Sequence, residues 1–98
     1  MSTVYIARVK EVAARSIGGE MMIMSARDST LFSLNETATT IWQAADGVTP
    51  LAEIVRRRVC AQFEVDPATA LRDAEELVEG LAKHGVLKLS NLPIEETP

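Results

Sequence analysis

Cysteine, histidine and aromatic residues are scarce in this 98-residue chain: Cys60 and His84 are each the sole example of their kind, and aromatics make up 4%. A lone cysteine closes no internal disulfide, and one cysteine with one histidine builds no zinc site without carboxylates at ligand spacing, which the sequence lacks. Redox and metal chemistry are thereby excluded, and no cofactor is expected. Positive charge is short as well. Ten Lys plus Arg against fourteen Asp plus Glu leave a formal charge of -4 and a pI near 4.9, the wrong sign for a chain whose task is to neutralise phosphates. No apolar run approaches the ~20 residues of a membrane-spanning helix, and Met1 to Lys10 shows no cationic start followed by an apolar stretch and a small-residue cleavage site. The expectation is a soluble, cytoplasmic protein that works on neither nucleic acid nor membrane.

Catalytic signatures are missing too. There is no G-x-x-x-x-G-K-[ST] loop, no G-x-G-x-x-G and no H-E-x-x-H. His84 falls in the last turn of an expected helix, where capping explains it better than general-base duty. Cys60 stands among Val59, Ala61 and Phe63 and reads as a small packed side chain rather than a nucleophile. At this length folding hides roughly 60 to 65% of the unfolded chain's surface, so one modest core fits and a long catalytic cleft does not. The expectation is a binding module, not an enzyme: a single domain over residues 1–90, then a flexible tail over 91–98 that holds Pro93, Pro98 and the adjacent Glu95 and Glu96.

Up to Leu34 the pattern is extended. Gly18-Gly19 and Arg27-Asp28 are turn signals that separate three runs, Val9 to Ile17, Glu20 to Ala26 and Ser29 to Leu34. Glycine supplies the positive φ that a two-residue hairpin turn requires, and connections this short force antiparallel pairing. In the third run Phe32 and Leu34 alternate with Leu31 and Ser33, so the first pair faces the core and Leu31 the other side. Met21-Met22-Ile23-Met24 is almost continuously apolar, which fits a central strand. Core packing is the simpler reading of its methionines, and an adaptable binding surface is the alternative.

Beyond Leu34 the pattern turns helical. Asn35 is an N-cap residue followed by Glu36, an anion at the positive end of a helix. Ala38, Ile41, Trp42 and Ala45 form one apolar stripe, which Asp46-Gly47 ends. Thr49-Pro50 predicts the opening of a second helix, with Leu51, Ile54, Val55, Val59 and Phe63 as its apolar arc. Asp66-Pro67 repeats the device for a third, whose stripe is Ala70, Leu71, Ala74, Leu77, Val78 and Leu81 and whose left-handed cap is Gly85. Val86 to Leu89 can add a short strand. The fold class expected is α+β: a winged-helix-like domain with a three-stranded antiparallel sheet followed by three helices.

In that architecture the third strand has one unpaired edge, a row of backbone donors and acceptors that invites another strand. With the third helix alongside, the two form a groove able to hold an extended peptide by main-chain hydrogen bonds while side-chain pockets choose its sequence. The alternative is an edge merely blunted by Ser29, Thr30 and Ser33. Arg56-Arg57-Arg58 is the one basic run, but successive helical residues turn by about 100°. The three therefore fan out as a solvated face instead of forming a phosphate-binding patch.

Leu34-Asn35-Glu36-Thr37-Ala38, Ile41-Trp42, Asp46-Gly47, Ile54, Phe63-Glu64-Val65-Asp66, Asp73, Leu77, Leu81 and Gly85-Val86-Leu87 follow one another in an order that resembles the PqqD family. That family is named for coenzyme PQQ synthesis protein D, and its fold is the RiPP recognition element. The resemblance covers Ile17 to Leu89. It implies a non-catalytic peptide chaperone that binds the leader of a ribosomally made precursor peptide as an added strand, between the third strand and the third helix. The bound peptide is then presented to a modifying enzyme, such as a radical SAM protein. Carried onto this chain, the pairing edge is Ser29, Thr30, Leu31, Phe32, Ser33 and Leu34, and the groove wall is Arg72, Asp73, Glu76, Leu77 and Gly80.

Two departures from the family pattern are visible. Members dedicated to PQQ biosynthesis usually carry a Pro-Glu pair before the third strand, where this chain has Arg27-Asp28-Ser29, so the pathway stays open. The stretch from Ile54 to Phe63 is longer by a residue than the family's usual spacing. Two rival functions remain: a winged helix-turn-helix DNA binder, which needs a basic face, and a subunit that dimerises through its open edge.

Overall fold

The computed structural model describes residues 3–9, 12–25 and 29–94. Along them run β1 (Tyr5–Arg8), β2 (Ala13–Ile17), β3 (Glu20–Met24), β4 (Leu31–Leu34), α1 (Glu36–Gln43), β5 (Asp46–Pro50), α2 (Leu51–Ile54, continued by a π-helical turn over Val55–Val59), α3 (Pro67–Lys83) and β6 (Leu87–Ser90). The architecture is mixed α+β, the class the pattern predicts.

Gly18 and Gly19 adopt φ of 57° and 86°, as a two-residue hairpin turn needs, and join β2 to β3 in continuous antiparallel register from Ile17↔Glu20 to Ala13↔Met24. β4 pairs with the other side of β3, Phe32 opposite Ile23 and Leu31 opposite Met24, which gives the order β2-β3-β4. The outer runs are shorter than expected. Val9 lies outside β2, and Ser29 and Thr30 precede β4. Ser29 takes a left-handed φ of 58° and donates its N–H back to the Ser25 carbonyl at 3.0 Å, a turn that a strand residue cannot make. Lys10, Glu11 and Ala26 to Asp28 lie outside the described residues, and with them the Arg27-Asp28 turn signal.

The sequence pattern does not predict the second three-stranded sheet, β5-β1-β6. β1 pairs with β6 from Tyr5↔Ser90 to Arg8↔Leu87, and with β5 across an irregularity between Tyr5↔Pro50 and Ala7↔Asp46. No local turn announces partners so far along the chain. β5 occupies the stretch read as one helix ending and another opening, so Thr49 is not the cap of α2. Pro50 holds that position and makes no side-chain hydrogen bond. The Asp46 carboxylate instead accepts the Val48 and Thr49 N–H groups at 3.0 and 2.9 Å and the Thr49 hydroxyl at 2.9 Å. Burial pushes the Asp46 carboxyl up, but these hydrogen bonds outweigh it and hold the group below its usual range.

Gly47 has φ 82°, and the Ile94 N–H donates to its carbonyl at 2.7 Å. A Cβ at position 47 would stand 2.4 Å from the Ile94 carbonyl oxygen. Ile94, within the stretch expected as a tail, thus makes one backbone hydrogen bond to Gly47, and residues 95–98 lie outside the described residues.

The helix openings follow the sequence signals. The Asn35 side chain accepts the Ala38 N–H at 2.9 Å, and that of Asp66 accepts the Thr69 N–H at 3.1 Å. Ile41, Trp42, Leu51, Ile54, Val55, Val59, Ala74, Val78 and Leu81 bury their stripes together with Ile6 of one sheet and Ile23 and Leu34 of the other. Phe63, Leu71 and Leu77 are only partly buried. In the π-helical turn that continues α2, the Cys60 N–H donates to the Val55 carbonyl at 2.8 Å. This wider turn keeps both Val55 and Val59 in the core. Beyond α3, Gly85 has φ 78° and the Val86 N–H returns to the Leu81 carbonyl at 3.0 Å, the cap the sequence predicts. Among the described residues no helix is long and apolar enough to cross a membrane, and no cluster of three or more His, Cys, Asp or Glu is placed to hold a metal.

Candidate functional site

β4 ends the order β2-β3-β4, so its far side pairs with no strand among the described residues. Backbone polar groups of successive residues in an antiparallel strand point to alternate sides. The Ser25 N–H donates to the Thr30 carbonyl at 2.9 Å, in line with the pairs Ile23↔Phe32 and Met21↔Leu34. The polar groups of Phe32 and Leu34 therefore face β3, and those of Leu31 and Ser33 face the open side. Side chains alternate too: Leu34 is buried and Phe32 half-buried against the core, while Leu31 and Ser33 are exposed.

α3 carries the other candidate residues. Asp73, Leu77, Gly80 and His84 recur at i, i+4, i+7 and i+11, a single line along the helix. Two contacts hold the far end of this line to the sheet. The Phe32 and His84 rings meet edge to face with centroids 5.1 Å apart, and the buried Ser25 hydroxyl donates to the His84 carbonyl at 2.5 Å. At the near end Asp73 and Leu77, with Ala70 and Ala74, line a pocket of about 330 Å³. Asn35, directly after β4, closes the pocket with Thr37, Ala38 and Ile41, and Val59 and Val65 complete it. Between these ends a Cβ on Gly80 would meet nothing within 4 Å.

The sequence-predicted residues divide as follows. Leu31, Phe32, Ser33 and Leu34 share β4, with Ser29 and Thr30 at its entry. Asp73 and Leu77 come together in the pocket, and Gly80 continues their line. Arg72 and Glu76 sit on the neighbouring, outward line of α3, exposed and outside the pocket. Sequence reasoning misses the other pocket residues and His84. Ala38, Ile41, Val59, Ala70 and Ala74 belong to stripes that periodicity assigns to the core, and periodicity does not mark where coverage of a stripe stops. Val65, within Phe63-Glu64-Val65-Asp66, is the one signal that singles out this end.

A family model described as Coenzyme PQQ synthesis protein D (PqqD) matches residues 20–87. The chain belongs to the PqqD family. The matched span holds β3, β4, α1, β5, α2 and α3 and leaves out β1 and β2. Among solved structures, this PqqD-family chain is similar to one described as TbiB1 in complex with the TbiA(beta) leader peptide. The two are 26% identical, the match covers 84% of this chain and 94% of that chain, and the TM-score is 0.72. No curated protein matches this PqqD-family member.

Proposed function

We propose that this chain is a non-catalytic peptide adaptor. It binds the leader of a ribosomally made precursor peptide as a strand added to β4 and presents it to a modifying enzyme, of radical SAM type as in the biosynthesis of PQQ or related peptide products. One observation carries this reading: β4 has an open edge, its Phe32 ring meets His84 at one end of a line on α3, and the other end of that line lies in an apolar pocket. The likeness to TbiB1, described with a leader peptide bound, supports it. Main-chain groups of Leu31 and Ser33 would hold the peptide backbone, and a side chain of the peptide would enter the pocket beside Asp73 and Leu77. Arg72, Glu76 and Gly80 form the rest of the wall. The recognition unit spans residues 1–90 and works in the cytoplasm, where precursor peptides are made.

The rival DNA-binding reading finds little support. Arg56 and Arg57 both pair with Glu53, at 3.3 and 2.8 Å, so the basic run offers phosphates few unopposed cations. Backbone amide NMR with the precursor peptide encoded nearest to this chain tests the proposal. Shifts concentrated in Ser29 to Leu34 and Arg72 to Gly80 are expected. Silence there, with duplex DNA perturbing α2 and α3 in a steeply salt-dependent way, would overturn it.

A further inference from the structure

Residues directly opposed across strands share a face of the sheet. The register of β2-β3-β4 therefore places Ile17 beside Glu20, Arg15 beside Met22 and Met22 beside Ser33, and Met24 beside Leu31, all on the side away from the core. Ile17, Met24 and Leu31 are 58, 45 and 54% exposed, and Met22 is half-buried. Met21 and Ile23, pointing the other way, are buried at 7 and 0%. An antiparallel sheet with one solvated face ordinarily carries polar residues there. Here the central strand presents methionines, so the Met21-Met22-Ile23-Met24 run serves two sides, and the proposed peptide groove uses neither Met22 nor Met24. The charges of Arg15 and Glu20, diagonal neighbours of opposite sign, offset each other.

We infer that this face is the docking surface for the enzyme that modifies the bound peptide, and that the enzyme brings an apolar, uncharged patch to it. The inference rests on the peptide-adaptor reading. Two observations choose this occupant. A strand added to β4 extends the face by another column, about 4.8 Å beyond Leu31 and Ser33. Every second side chain of the peptide then stands beside Leu31 on the same face, and an enzyme seated there touches carrier and peptide together. The area points the same way. Three strands about 4.8 Å apart and at most five residues long span roughly 240 Å², against about 800 Å² per partner in a stable complex. A lasting dimer needs more, whereas an enzyme that must release its carrier does not. The flexible, polarizable methionine side chain suits a surface that adapts to its partner.

The methionines supply the test. The chain, labelled at its methionine methyl carbons, is titrated with the purified peptide-modifying enzyme encoded nearest to it, in the presence of the precursor peptide. The Met22 and Met24 signals should shift or broaden while Met21 follows only the overall slowing of tumbling. Met24→Glu should weaken enzyme association at least tenfold and leave peptide affinity within twofold. Equal responses of all three signals, no response, or undiminished association of a folded Met24→Glu variant would overturn the inference. So would broadening with protein concentration alone, which places a second copy on the face. Amide shifts in β4 with peptide alone report on the adaptor reading separately: their absence alongside a Met22 and Met24 response to enzyme rejects the groove and keeps the docking surface.

Discussion

Phe32 and His84 pack edge to face, their ring centroids 5.1 Å apart, and so fasten β4 to the C-terminal turn of α3. In the proposed groove this pair lies at the end away from the pocket. Aromatic pairs of this geometry contribute about 0.5 to 1.5 kcal/mol beyond their buried area. His84→Ala should therefore cost about 1 kcal/mol and lower Tm by about 4 to 8 °C. Peptide affinity should fall with it, because one wall is no longer held. Thermal melts and a peptide titration on the same sample check both effects, and an unchanged Tm would show that the contact holds nothing.

Leu31 turns its N–H to the open side of β4, whereas Phe32 turns its own toward β3. Proline removes a backbone donor and is tolerated at sheet edges where that donor is not part of the ladder. Leu31→Pro should stay folded and lose about 1 kcal/mol of peptide binding, roughly fivefold in Kd, for one hydrogen bond. Phe32→Pro should damage the sheet itself. Circular dichroism separates the two variants, and anisotropy with a labelled peptide reads the binding loss.

Gly80 lies in the interior of α3, where glycine costs about 1 kcal/mol relative to alanine. The empty space around its missing Cβ is what peptide access to the groove requires. Gly80→Ala should raise stability by about 1 kcal/mol and leave binding nearly unchanged. Gly80→Leu should keep the helix and weaken peptide binding at least tenfold by filling the wall. Urea denaturation paired with a peptide titration distinguishes these results, and full peptide affinity in Gly80→Leu would show that the peptide runs elsewhere.

Asp46 carries the pH dependence. Its carboxyl is held below the ordinary 3.8 by hydrogen bonds from Thr49 and Val48 that outweigh burial. A group whose native pKa is depressed contributes stability that is present above its unfolded value and is lost as pH falls through the native value. Asp46→Asn should therefore be less stable than the parent at about pH 6, and the difference should shrink below about pH 4, near the unfolded carboxylate value. Urea midpoints at about pH 6 and about pH 3 measure it. A gap that is constant with pH would remove Asp46 as the cause.

Much of the fold is written locally. Gly18-Gly19 sets the hairpin because only a positive φ closes so short a turn, and Asn35, Asp66 and Gly85 mark helix ends because their effects act within three or four residues. The stripe of α3 follows from the helical repeat alone, whereas Asp73, Leu77 and Gly80 are singled out by the family resemblance. The open edge of β4 is legible as well, since it is the last strand before the helices. What the tertiary structure decided is of another kind. The sheet β5-β1-β6 joins Tyr5 to Pro50 and Ser90, and pairing at that separation leaves no trace in local pattern. The apolar run of β3 does not say which methionine meets the core: Met21 is buried and Met24 exposed only because β4 and α1 lie where they do. His84 reads as a helix cap until Phe32 is brought against it. Local dihedral and periodic preferences belong to neighbouring residues, whereas burial and strand pairing belong to whichever distant segment arrives, and this is why the elements were readable and the second sheet and the buried side of β3 were not.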